Sequence, residues 1–162
     1  MPQPLPADPA AFSIRRDRPD SPAGQRLIAR HLAEMQAHTP PDSVHVLDAR
    51  ALAAGDISFF LLWQGGTPLA MGALKRTGPQ EGELKSMHVI AEARGRGTGG
   101  ALLRHLIDCA RAQGMRRLNL ETDSGPDFAA ARSLYRRHGF SDCGPFGCYG
   151  PDPHSTFMTR SL

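Results

Sequence analysis

The residues best placed to do chemistry crowd into Arg94-Gly95-Arg96-Gly97-Thr98-Gly99-Gly100, which follows a strand-like run and opens an apolar helix. Its glycines let a ligand approach the backbone with no Cβ in the way. A helix starting near Gly97 leaves its first N–H groups unpaired, at the positive end of its dipole. That combination suits phosphate oxygens, so the loop reads as a pyrophosphate cradle. A P-loop is excluded, because the Gly-Lys-Ser/Thr ending is missing. The dinucleotide pattern G-x-G-x-x-G is met by Gly95, Gly97 and Gly100, with Glu121 about 20 residues further on. Its position argues against it: that pattern belongs to the first strand of a doubly wound sheet, whereas here a long stretch of chain precedes it and too little follows for a second half.

The elements that must hold this loop can be read from periodicity. Leu84 to Val89 alternates as a strand into the loop, and the helix after it buries Leu102, Leu103, Leu106, Ile107 and Ala110 while Arg104, Asp108 and Arg111 face out. Gly114 stops it. Upstream, Phe12 to Arg15 reads as an edge strand, and a helix carries Leu27, Ile28, His31, Leu32 and Met35 until Pro40-Pro41. On that helix His31 and His38 are surface or half-buried positions. Val44 to Ala54 is a brief strand or a short helix. Ile57 to Trp63 and Leu69 to Lys75 form a hairpin about Gly65-Gly66, and Glu81 to Val89 adds a third antiparallel strand. Arg117 to Glu121 is a further strand, Phe128 to His138 a helix closed by Gly139, and Phe157 to Thr159 a last strand. The layer arrangement is α/β or α+β, with a mixed, mostly antiparallel sheet.

The loop with Ser133-Leu134-Tyr135-Arg136-Arg137-His138-Gly139-Phe140 downstream resembles the GCN5-related N-acetyltransferases. Arg94-Gly95-Arg96-Gly97-Thr98-Gly99 fits their Arg/Gln-x-x-Gly-x-Gly/Ala pattern, and Leu134-Tyr135-x-x-x-Gly139-Phe140 fits their Leu-Tyr-x-x-x-Gly-Phe helix end. The ending from Gly144 to Met158 is similar to a bacterial subgroup named after indole acetate. The resemblance implies the acyl-CoA acyltransferase fold. Two parallel central strands, by position Glu83 to Val89 and Arg117 to Glu121, would splay to admit the pantetheine arm of acetyl-CoA as cosubstrate.

It also implies roles. Acetyl transfer to an amine needs a neutral amine, a stabilised oxyanion and a proton for the departing thiolate. Glu83, eleven residues before Arg94, stands where histone-acetylating relatives carry their general base, with Glu81 and Glu121 as competitors. Strand alternation would put Glu83, Lys85 and Met87 on one face unless a bulge intervenes. A surface pairing of Glu83 with Lys85 is the plainer reading. The oxyanion and pantetheine amides fall to the backbone of Met87, His88 and Val89. The pyrophosphate falls to Arg94, Gly95, Arg96, Gly97, Thr98, Gly99 and Gly100, and Tyr135 is the candidate acid. Many relatives carry a cofactor-binding asparagine where this chain has Phe128, whose ring would pack on the pantetheine instead.

The 162 residues, with 40% hydrophobic content, are one domain's worth. Residues 12–162 are expected to form that domain after a flexible segment, 1–11, that is no signal peptide. A charge of only +3, without a basic tail, favours a small anionic ligand over nucleic acid, and no apolar run is long enough for a membrane. Three cysteines suggest reduced thiols and a cytoplasmic protein. The set His138, Cys143, Cys148, His154 has no zinc-site spacing, so no metal is expected. The 144–158 loop, with Phe146, Tyr149, Asp152 and His154, either borders the acceptor pocket, makes a homodimer contact, or is a proline-stiffened turn. The activity expected is N-acetyl transfer from acetyl-CoA to a small amine or peptide amine. A non-catalytic acyl-CoA sensor and an NAD-binding oxidoreductase are the alternatives.

Overall fold

A computed structural model describes residues 12–45 and 47–162. The expected flexible segment 1–11 and Val46 lie outside them. Strands β1 (Phe12–Arg16), β2 (Ile57–Gln64), β3 (Thr67–Arg76) and β4 (Glu81–Val89) pair antiparallel in sequence order. The β2–β3 hairpin turns at Gly65-Gly66, where Gly65 has φ +59° and so favours a residue without Cβ. β5 (Arg117–Asp123) then runs parallel to β4. A parallel neighbour needs a crossover, and α3 (Thr98–Ala112) supplies it. The leucines, Ile107 and Ala110 expected inside are buried, and Arg104, Asp108 and Arg111 are exposed. β7 (Ser155–Ser161) pairs antiparallel with β5, and β6 (Ser141–Cys143) lies at the edge, completing a seven-stranded sheet ordered β1-β2-β3-β4-β5-β7-β6. Three residues are too few to show alternation, so β6 had no periodic signal in the sequence.

α1 (Pro22–His38) begins on Ser21, whose Oγ accepts from the Gly24 N–H at 3.0 Å, and has Pro22 at its first position. It packs on β3 and β4. The ambiguous stretch after it resolves as a short helix, α2 (Ala49–Leu52), capped by Asp48. α4 (Ala129–Arg137) follows a tight turn at Pro126–Phe128 and ends before Gly139, whose φ is +86°. Phe128 therefore caps α4 rather than belonging to it.

Two irregularities in β4 shape the centre of the sheet. In the β3–β4 ladder, Ala73 pairs with Lys85 but Met71 with His88, so Gly72 alone faces Ser86 and Met87. This is a β-bulge, and within it Ser86 takes a left-handed φ of 56°. Gly72 permits it: a Cβ there would stand 2.9 Å from both Leu106 Cδ1 and Met87 Sδ. The bulge also overturns the simple alternation of Glu83, Lys85 and Met87. Met87 turns towards α3, beside Leu106, and His88 takes its place on the α1 side, against His31. The second irregularity is a divergence: β4 and β5 pair only from Glu81/Arg117 to Leu84/Leu120, although both strands continue. The gap beyond is the splayed cleft that the resemblance implies.

Candidate active site

The cleft holds two cavities that meet. The larger, of about 400 Å³, runs from the end of β4 along the glycine loop and is bordered by Met87, His88, Val89, Arg94, Gly95, Gly97, Thr98, Gly99, Gly100 and Phe128. The smaller, of about 90 Å³, is bordered by His31, His45, Glu83, Lys85, Ser86, Glu121 and Asp123. His31, Met87, Phe128, Ala131 and Tyr135 border both. Of the loop residues singled out from sequence, only Arg96 is absent from the walls.

The loop has the conformation its glycines suggest. Gly95 and Gly97 have φ of +74° and +79°, and Gly97 caps α3 without a side-chain hydrogen bond. The N–H groups of the first turn therefore stay unpaired within the helix and available to an anion. Thr98 is buried, and its Oγ1 donates to the Ala93 carbonyl at 3.1 Å, which ties the loop to the turn before it. Arg94 is committed to the protein: Nε donates to the Val89 carbonyl at 3.0 Å and Nη2 to Glu34 Oε2 at 2.7 Å. It braces the loop against α1 as well as lending charge.

On the other side, Glu83 and Lys85 do pair, but inside the protein, with side chains 9% and 11% exposed. Lys85 Nζ donates to Glu83 Oε1 at 3.2 Å and to the Tyr149 hydroxyl at 2.7 Å, and Tyr149 donates to the same Oε1 at 2.7 Å. Burial, and then the bond to the Glu83 carboxylate, push the Tyr149 phenol well above its usual range, so it remains a donor. Tyr149 also sits edge-on to His45, Phe146 lies against Phe157, and Lys85 lies over the Tyr149 ring. The 144–158 loop thus folds back onto Glu83, Lys85 and His45, which border the smaller cavity. Nothing local in the sequence joins Tyr149 to Glu83, which is 66 positions away.

Glu121 borders the smaller cavity, and burial raises its carboxyl although Ser155 Oγ donates to it at 2.8 Å. Glu81 is exposed at the far end of β4 and borders neither cavity. Tyr135 is buried, packs edge-on against Phe140, and has its phenol pushed well above the usual range, first by burial and then by the Glu121 charge. Among the described residues no three His, Cys, Asp or Glu side chains gather as a metal site, and the cysteines are unpaired. The dinucleotide reading fails on topology. The strand before the loop lies between one antiparallel and one parallel neighbour, and Glu121 faces the cavity away from the loop.

The comparisons agree with this geometry. The chain is 39% identical over 151 residues to the uncharacterized N-acetyltransferase YedL of Escherichia coli K12, covering 93% of this chain and 95% of the other. To the IAA acetyltransferase of Azospirillum brasilense it is 42% identical over 154 residues, covering 93% and 97%. A GNAT family acetyltransferase of Elizabethkingia anophelis, solved with acetyl-CoA bound, shares the fold with a TM-score of 0.66 and 14% identity, over 94% of this chain and 99% of the other. The family profile for the acetyltransferase (GNAT) family matches residues 25–140, and with the splayed strands and the glycine cradle this places the chain in that family, as an acetyl-CoA-dependent N-acyltransferase.

Proposed function

We propose that the cleft acetylates the primary amine of a small molecule or peptide by direct attack on the acetyl-CoA thioester. The cradle at the start of α3 takes the pyrophosphate, and the larger cavity takes the pantetheine arm, with the backbone of Met87, His88 and Val89 towards its amides and the acyl oxygen. Phe128, on the wall of both cavities, offers its ring face to the arm in place of a polar contact. The smaller cavity takes the amine. Glu83, Glu121 and Asp123 give its wall an acidic character that suits a cation. Glu83 is the base: Tyr149 and Lys85 occupy its Oε1 and hold the carboxylate in place, while Oε2 is left to receive the amine proton directly or through water. The neutral nitrogen then bonds to the acyl carbon, the C–S bond breaks with its electron pair leaving on sulfur, and the second N–H proton passes to water.

The observation that carries this reading is the position of Tyr135 on the wall shared by both cavities, where sulfur and amine must meet. Its raised phenol makes complete proton transfer to a thiolate costly, so its contribution is a hydrogen bond to the developing charge. Tyr135→Phe keeps the ring and removes only the donor. At saturating acetyl-CoA, kcat for an amine panel followed by release of CoA thiol is expected to fall by about 10²-fold, with acetyl-CoA affinity unchanged. Parent-like turnover would leave Tyr135 as packing.

The unpaired cysteines fit a cytoplasmic protein, and no helix among the described residues is long and apolar enough to cross a membrane.

A further inference from the structure

His31 and His88 face each other beneath the cleft, with Nδ1 to Nδ1 at 3.3 Å, and His88 Nδ1 also stands 3.3 Å from Glu34 Oε2. Burial alone would raise the Glu34 carboxyl, but the hydrogen bond and charge of Arg94 hold it below the usual range, so it is ionised and can only accept. Burial also holds both imidazoles at about 4, which leaves each with a single proton at neutral pH. Charge then decides the tautomers. An N–H on His88 Nδ1 faces the carboxylate favourably and donates to His31 Nδ1, whereas a bare Nδ1 there would set a lone pair against the anion. His31 must therefore carry its own proton on Nε2.

That proton has no protein acceptor. His31 Nε2 has no hydrogen-bond partner among the described residues, yet it is not enclosed as His88 Nε2 is, and the ring borders both cavities. A substrate that displaces water from this corner and offers nothing to the His31 N–H strands it. One with an oxygen there satisfies it, and such sites discriminate strongly against the analogue lacking it.

We propose that His31 determines acceptor specificity: its Nε2–H receives a hydrogen-bond-accepting oxygen of the acceptor, so the preferred acceptors are primary amines that carry an oxygen a few bonds from the nitrogen. This rests on the reading of the smaller cavity as the amine site. The test compares amines of equal length that differ in one atom, such as an amino alcohol and its alkylamine isostere, by kcat/KM from CoA thiol release. The parent is expected to favour the oxygen-bearing amine by about tenfold or more. His31→Leu should erase the preference by slowing that amine alone. His31→Gln, whose amide N–H can stand near Nε2, should keep most of it. ¹⁵N NMR of the imidazoles at neutral pH needs no variant and should find the His31 proton on Nε2. A proton on Nδ1 overturns the assignment, as does equal use of the two amines by the parent or an equal loss with both in His31→Leu. Should the parent bind acetyl-CoA and turn over no amine at all, the amine reading of the cavity falls, and this inference with it.

Discussion

The larger cavity owes most of its wall to one continuous piece of chain, Met87 to Gly100, acting mainly through backbone groups. The smaller one draws its wall from scattered segments: His31 on α1, His45 in a connection, Glu83 and Lys85 on β4, Glu121 on β5. Tyr149, from the 144–158 loop, holds Glu83 in place. Backbone donors serve whatever side chains surround them, provided glycine allows the positive φ, so the cofactor side reduces to a spacing. The proposed acceptor side depends on which side chains long-range folding brings together. A shared cosubstrate with divergent acceptors is what such a division permits.

The largest effect should come from breaking the cofactor side at one backbone position. Gly97→Val places a β-branched residue at φ +79°, where space for a Cβ is open but the conformation is strained by about 1–2 kcal/mol. Relaxation would turn first-turn N–H groups away from the pyrophosphate, each such charged hydrogen bond being worth roughly 1.5–3 kcal/mol. Calorimetry should show acetyl-CoA affinity down by about 10²- to 10³-fold in a protein that still melts cooperatively. Unchanged affinity would move the cradle elsewhere.

On the acceptor side the expected loss is kinetic. Glu83→Gln should lower kcat by about 10²-fold at neutral pH and leave acetyl-CoA binding intact, with the deficit shrinking at high pH as the amine sheds its own proton. If the pH profile stays parental while Glu121→Gln changes it, the base is Glu121, whose burial already raises its carboxyl.

The mildest effect concerns the histidine pair between the two sides, and it shows only below neutral pH. Folded, His31 and His88 titrate at about 4; unfolded, near 6.5. Between those values the unfolded chain binds more protons, so their contribution is complete above about pH 6.5 and is lost as pH falls towards 4. Each histidine can add a slope of at most about 1.4 kcal/mol per pH unit. Thermal melts at pH 5 and 7.5 should show a smaller difference in His31→Leu than in the parent. Equal differences would mean that the pair titrates normally in the folded state.

The residues divide in the same way over what could be read in advance. Arg94 to Gly100, the stripe of α3, the hairpin at Gly65-Gly66 and the Leu134 to Phe140 ending are local patterns, legible because strand and helix periods and glycine's conformational freedom act over a few residues. Glu83 was legible as a candidate through its spacing from the loop, though not as a buried carboxylate held by a tyrosine. His31 looked like an ordinary helix position, and Glu34 gave no signal at all, since neither has a sequence neighbour that reveals its partner 54 to 60 positions away.

By itself the sequence determined the order of β1 to β5 with α1 and α3 among them, the glycine turn at Gly97 and the buried face of α3, because each depends on backbone preference and hydrophobic period within a short window. The tertiary structure alone decided that β4 bulges at Ser86 and that Tyr149 and Lys85 share one oxygen of Glu83. Those outcomes follow from packing between distant segments. Gly72 makes room for Met87 beneath Leu106, the swollen strand turns His88 towards α1, and the returning C-terminal loop brings a phenol to a carboxylate that no local rule could have paired with it.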